Sequence, residues 1–239
     1  LSRDHLDFHK TMEAYAEVKW SFVRGEYQNL PVINQDDSVG RRFTSRLEAE
    51  GRKVLTFGEA GDGIVPALTF TAASVAGNGI SFTVRYKDTS RQVTLPLIGR
   101  FNIYNALTAA GMLIADGADA AEVLDALPAL RPLVGRMEMF SKEGSPLVIV
   151  DFAHTPDGIE KSLMAAREHT KGILTCVFGA GGDRDHGKRP LMAASAEKFA
   201  DRVFVTDDNP RSEDPAAIRR DVAAGFTGAL NDVGRKALV

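Results

Sequence analysis

The chain has 239 residues, 44% of them hydrophobic and 26% charged, with a formal net charge of −3. That length allows two modest domains, and the balance excludes the basic field that nucleic-acid binding needs. A single cysteine excludes an internal disulfide framework and fits a reducing compartment, and no apolar run of about 20 residues offers a membrane span or opens as a signal peptide.

In chain order, Phe8 to Val23 reads as an amphipathic helix with Phe8, Met12, Tyr15 and Phe22 on one face. Lys19 follows Tyr15 by four residues, so it shares that apolar face, where a lysine either snorkels to water or is buried as a reactive amine. Pro31 to Asn34 reads as a short strand, Ser38 to Glu50 as a helix closed by Gly51, and Lys53 to Phe57 as a strand. From Ala67 to Ile98 the texture becomes short β runs parted by turn residues at Gly77–Gly79 and Lys87–Asp88, which predicts a small antiparallel sheet. Helices follow at Asn102–Gly117 and Ala120–Leu127.

Pro128, Arg131, Pro132 and Gly135 form the clearest linker signal. Beyond it, β runs at Val148–Phe152, Ile173–Phe178 and Arg202–Val205 alternate with helices opened by Thr155-Pro156, Pro190 and Asp214-Pro215. Three strand–loop–helix units in series predict an α/β domain with a parallel sheet. Cys176 lies inside the second run and reads as a buried, inert thiol.

Ligands of open parallel sheets bind beyond the C-terminal strand ends. Those ends read Asp151–His154, Gly179–Asp185 and Thr206–Arg211, richer in charge, amide and imidazole groups than connections require. Gly182 to Lys188 matches the G-x-x-x-x-G-K spacing of a phosphate loop, but Arg189 stands where Ser or Thr should ligate Mg2+, so that reading is rejected. Gly179, Gly181 and Gly182 are expected to let the chain turn and approach a ligand closely. Pro210 stiffens the third loop between Asn209 and Arg211; Arg211 offers a fork for a carboxylate and Asp208 a partner for an ammonium. The zwitterionic end of an amino acid suits such a loop.

Six segments taken together resemble the Mur ligases, the ATP-dependent amide-bond enzymes of peptidoglycan synthesis: DHLDFH with EVKW, FNIYNALTAA, GRMEMF, DFAHTPDGIEK, FGAGGDRDHGKRP and TDDNPR. The resemblance implies that residues 1–133 are the later part of a central ATP-binding domain. It implies that residues 134–239 are a Rossmann-like, amino-acid-binding C-terminal domain. The family's own phosphate loop and UDP-binding domain are expected upstream of Leu1, and a further segment that touches the amino acid is expected beyond Val239. The chain by itself is therefore expected to be inactive.

Residue by residue, the resemblance makes Lys19 the lysine that is carbamylated to help hold Mg2+, and His5 a ligand of a second Mg2+. Asn102 and Asn105 match the adenine pair. Arg136 matches the arginine that reaches the ATP phosphates, and Asp151 and His154 match residues lining the nucleotide. Arg184, Asp208, Asn209 and Arg211 match the amino-acid pocket. The implied partners are ATP, UDP-MurNAc-L-Ala-D-Glu and meso-diaminopimelate, in a monomeric cytoplasmic enzyme that touches neither nucleic acid nor membrane. GGDRD with TDDNPR favours the diaminopimelate-adding members over the other Mur ligases and the folylpolyglutamate synthetases. A non-catalytic module that binds a nucleotide or an amino acid on the same α/β domain is the alternative from another class.

Overall fold

The computed structural model describes residues 1, 5–25, 30–61, 63, 65–76, 79–228 and 237–238. They fall into two compact units, Leu1 with Ala16–Val134, and Ser2–Tyr15 with Gly135–Val239.

The N-terminal helix expected over Phe8–Val23 is two helices, α1 (Leu6–His9) and α2 (Met12–Arg24). Lys10, at φ 65°, leaves the right-handed helical region and breaks them apart. The buried face of α2 is Ala16 and Trp20, while Phe8 and Phe22 are 78% and 71% exposed. Trp20 packs on Phe43, with the Arg46 guanidinium 3.9 Å above its ring. Ile33 and Leu47 complete that small core. Lys19 is exposed, so the buried lysine that the apolar pattern allowed is not found.

The first unit is built on one five-stranded sheet in sequence order: β1 (Val32–Asn34), β2 (Leu55–Glu59), β3 (Leu68–Ala76), β4 (Gly79–Tyr86) and β5 (Thr89–Leu95). β1 to β3 run parallel and β3 to β5 antiparallel, so the expected antiparallel sheet exists as one end of a larger mixed one. The turn at Lys87 and Asp88 is present, with Lys87 at φ 50°; Gly77 and Asn78 lie outside the described residues. α3 (Ser38–Ala49) is capped by Asp37, whose carboxylate accepts from Val39 N and Gly40 N. α4 (Phe101–Ala115) packs on β1 and β2, its Ile103, Leu107 and Ala110 sharing one core with Leu68, Phe70, Phe82 and Val84, and α5 (Ala120–Ala126) adds Leu124 to this core.

In the second unit, β6 (Glu138–Phe140) and β7 (Val148–Val150) form an antiparallel hairpin. β8 (Thr175–Phe178), β9 (Arg202–Val205) and β10 (Ala237–Leu238) form a parallel sheet in the order β10-β9-β8. The strand at Val148–Val150 therefore pairs with its neighbour in sequence rather than joining the parallel ladder, a short loop being the cheaper closure. α6 (Pro156–Glu168), α7 (Arg189–Phe199) and α8 (Pro215–Ala223) follow β7, β8 and β9. The Thr155 hydroxyl accepts from Gly158 N and the Asp214 carboxylate from Ala216 N, as the cap-then-proline signatures predict. Ile159, Leu163, Met192, Ala196, Val203, Ile218 and Val222 form the core. Among the described residues no helix is long and apolar enough to cross a membrane.

Candidate functional site

Residues 179–185 leave β8 and residues 206–213 leave β9. The parallel register Phe178 to Val205 sets these two loops side by side at the C-terminal strand ends. They are hydrogen-bonded to one another at four points. Gly182 N donates to the Asn209 carbonyl at 2.9 Å. The Ser212 hydroxyl and amide donate to the Asp183 carboxylate at 2.6 and 3.3 Å. Asp183 N donates to Glu213 Oε1.

The glycines serve this contact. A Cβ on Gly182 would stand 1.9 Å from the Pro210 carbonyl oxygen, and one on Gly179 2.7 Å from that of Thr206. Neither residue has a left-handed backbone. These two glycines admit the neighbouring loop, and Gly179 and Gly181 also line the cleft described below. At Gly181 the same Cβ would meet nothing closer than 3.8 Å.

Arg189, 1% exposed, sits under both loops. Its Nη1 and Nη2 donate to Glu213 at 2.9 and 2.8 Å. Nη1 also donates to Asp221 Oδ2 at 2.8 Å and approaches His186 Nδ1 at 3.3 Å, while Nη2 reaches the Gly181 carbonyl at 3.3 Å. The Arg189 hydrogen bonds, with the Asp183 amide in support, hold the Glu213 carboxyl down at about 2. Asp183 is held below the ordinary carboxylate range by the Ser212 hydroxyl and amide.

On the framed loops, Arg184, Asp208, Asn209 and Arg211 line one cleft of about 390 Å³, with His154 and His5 also bordering it. The structure thus brings together the four residues expected to hold an amino acid. Arg211 sits at φ 51°, and its amide donates to Asn209 Oδ1 at 3.2 Å, a local turn that uses the carboxamide oxygen. Asp207, just before them, is ion-paired to Arg219. Lys188, 7% exposed, and Phe152 line the same cleft and were missed by sequence reasoning. The signal for Lys188 is the Gly187-Lys188 pair at the end of the rejected phosphate-loop pattern.

Asp151 is used differently from a ligand-facing carboxylate. It accepts from Met137 N at 2.9 Å, Ala153 N at 3.0 Å and the Ser162 hydroxyl at 2.9 Å, tying the hairpin to α6. It borders a separate hollow of about 480 Å³ rather than the cleft. The exposed Arg136 lies 4.6 Å over the Phe152 ring, whose edge also meets His154. His154 Nδ1 is 3.1 Å from the Phe152 carbonyl. Burial pushes the Cys176 thiol up to about 11, in keeping with an inert cysteine.

In the first unit Asn102 and Asn105 stand one turn apart at the start of α4 and are bonded to each other. Asn105 Nδ2 donates to Asn102 Oδ1 at 3.0 Å, and Asn102 Nδ2 to the Ile98 carbonyl at 2.7 Å. Between them in sequence, Tyr104 donates its hydroxyl to Asp36 at 2.8 Å. Burial, with Asp36 beside it, raises the Tyr104 hydroxyl above its ordinary value. Lys19 borders a shallow hollow of about 260 Å³ with Asn34 and Asp37. A carbamate there would add oxygen donors to oxygen-bearing neighbours, which is the chemistry Mg2+ takes. Among the described residues no group of three or more His, Cys, Asp or Glu side chains is arranged to hold a metal, and His5 clusters with the second unit while Lys19 belongs to the first.

Two family models match the chain: the Mur ligase middle domain over residues 1–113 and the Mur ligase glutamate ligase domain over residues 135–237. A UDP-N-acetylmuramoyl-L-alanyl-D-glutamate–2,6-diaminopimelate ligase from Vibrio vulnificus is 47% identical over 229 residues, 95% of this chain and 45% of that protein. A solved structure of an enzyme of that name aligns at 34% identity and a TM-score of 0.62, covering 100% of this chain and 48% of the other. A Mycobacterium tuberculosis folylpolyglutamate synthase solved with ADP and AMPPCP aligns at a TM-score of 0.72 over 94% of this chain and 51% of its own. At 21% identity that last likeness shows the fold alone. The chain spans about half the length of the relatives it matches.

Proposed function

We infer the function from a plain premise: the chain belongs to the Mur ligase family, whose middle and glutamate ligase domains it carries. The full-length protein, on this reading, joins meso-diaminopimelate to UDP-MurNAc-L-Ala-D-Glu at the expense of ATP. The observation that carries the reading is the cleft in which Arg184, Asp208, Asn209 and Arg211 meet. Two guanidinium groups and one carboxylate complement an amino acid with a second carboxylate and an ammonium. Arg211 clamps the distal carboxylate, Asn209 donates its NH2 group, and Asp208 takes an ammonium.

The terminal carboxylate of UDP-MurNAc-L-Ala-D-Glu attacks the ATP γ-phosphorus, and ADP leaves an acyl phosphate. The diaminopimelate amine then attacks the acyl carbon, phosphate leaves, and the amine proton is lost to solvent. Positioning and charge neutralisation do most of the work in such a transfer. Arg136 reaches the phosphates, Asn102 and Asn105 read the adenine edge, and His154 lines the nucleotide on a loop that Asp151 fixes. Mg2+ would neutralise phosphate charge, one ion held with the Lys19 carbamate and a second with His5. ATP and a UDP-linked substrate place the enzyme in the cytoplasm, and a monomer suffices for these steps.

The test is phosphate release from ATP by the full-length protein with UDP-MurNAc-L-Ala-D-Glu present, comparing meso-diaminopimelate with lysine. A preference of at least tenfold for meso-diaminopimelate, lost in Arg211→Ala, is expected, since a desolvated arginine–carboxylate pair discriminates by about 1.5–3 kcal/mol. Equal rates with the two amino acids would sink the reading.

A further inference from the structure

We propose that Arg189 is a positioning residue for the amino-acid cleft: its guanidinium locks the 179–185 and 206–213 loops together and so sets where Asp208, Asn209 and Arg211 stand. The inference rests on the reading of that cleft given above. Arg189 touches none of the ligand-facing groups directly. It grips the frame on which they are mounted, taking the Gly181 carbonyl from one loop, Glu213 from the end of the other, and Asp221 from α8. Glu213 in turn receives the Asp183 amide, and Asp183 receives Ser212, so a single buried cation closes a continuous chain of bonds across both loops.

A purely stabilising role is a poor account of this arrangement. A buried ion pair stabilises little relative to apolar packing, because desolvation offsets the attraction. Here the cost is visible: Arg189 Nε is buried and has no hydrogen-bond partner. What the fork does supply is direction, since its planar donors are satisfied at only one relative placement of the carboxylate and the carbonyl. Lysine, a point charge with rotatable donors, keeps the charge and loses the fork. The positioned loop also carries Arg211 in a left-handed backbone that a non-glycine residue adopts only when its surroundings enforce it.

The experiment compares the full-length protein with Arg189→Lys by steady-state kinetics and by amide exchange. In Arg189→Lys the KM for meso-diaminopimelate rises at least tenfold, while the KM for ATP stays within twofold. The Gly182 amide, bonded to the Asn209 carbonyl, exchanges at least tenfold faster, and the Phe82 amide in β4 is unchanged. An unchanged KM with a reduced kcat, or unchanged exchange at Gly182, overturns the proposal. If Arg189→Lys does not fold, Glu213→Gln, which keeps the shape and weakens the same grip, must give the same split in KM and the same exchange at Gly182, or the proposal falls. Should the unaltered protein release no phosphate with meso-diaminopimelate, the substrate reading fails. The exchange at Gly182 still decides whether Arg189 frames the loops.

Discussion

Replacing Gly182 by alanine is the sharpest test of the interlocked loops. The added Cβ would lie 1.9 Å from the Pro210 carbonyl oxygen and 2.6 Å from its carbon, both backbone atoms that no rotamer change can move aside. Relief requires the loops to part by more than 1 Å, roughly the shortfall from van der Waals contact. That movement also stretches the 2.9 Å bond from Gly182 N to the Asn209 carbonyl. Overpacking costs about 1–3 kcal/mol and the lost hydrogen bond about 1 kcal/mol, so the variant should lose roughly 2–4 kcal/mol. With an m-value of about 2 kcal/mol/M, the urea midpoint followed by far-UV circular dichroism should fall by about 1–2 M at unchanged slope. Gly181→Ala is the internal control: one residue away, the same methyl meets its nearest neighbour at 3.8 Å, an ordinary contact. A midpoint shift in Gly181→Ala as large as that in Gly182→Ala would refute the argument, because generic loop rigidity rather than loop–loop contact would then explain both.

The acid limb of stability follows from Glu213. Its carboxyl is lowered from 4.5 to about 2 in the folded chain, so its contribution is complete above the unfolded value and disappears as pH falls from 4.5 towards 2. Urea midpoints measured across that window should drop steeply in the unaltered protein and less steeply in Glu213→Gln; parallel curves would show that the pairing is not felt. Cys176, raised from 9.0 to about 11 by burial, should react with a thiol reagent at pH 8 about 100-fold more slowly than in the urea-unfolded chain, as the thiolate fraction falls. Equal rates in the two states would place the thiol in solvent.

The local signals that proved reliable were those with their own chemistry. Thr155 and Asp214 cap helices where short polar residues precede a proline and a helical pattern, and Gly51 closes α3 at φ 72°. The alternating strands and helices after residue 147 were legible for the same reason. What the pattern could not show was partnership. The run at Val148 read as a strand and is one, but nothing in its composition distinguishes a hairpin with β6 from a place beside β8. Periodicity also misjudged α2. It placed Phe8, Met12, Tyr15 and Phe22 on the apolar face and passed over Ala16 and Trp20, and it could not see that Lys10 would break the helix or that Trp20 would find Phe43 and Arg46. Lys19, read as either reaching water or buried, is exposed, since a face is buried only when something covers it.

The site was legible as a set of readers and illegible as a frame, and the difference has a physical origin. Arg184, Asp208, Asn209 and Arg211 are exposed where they line the cleft, so they stand out against the apolar strands before them. Arg189, Asp183 and Glu213 look no different in the sequence from ordinary surface charge, yet one of them is 1% exposed and the others are its partners or their neighbours. A charged residue declares its burial only through what it pairs with, and here the pairs are 24 and 32 residues apart along the chain. The mismatch with the phosphate-loop pattern at Arg189 was the one visible trace. An arginine where that motif needs a small hydroxyl says that this loop is held from beneath by a side chain, not built to cradle a phosphate with its backbone. Selectivity in such a cleft then belongs as much to the loop's anchorage as to the groups it presents. Exchanging Asn209 and Arg211 between relatives without Arg189 and Glu213 would transplant the readers but not the places where they stand.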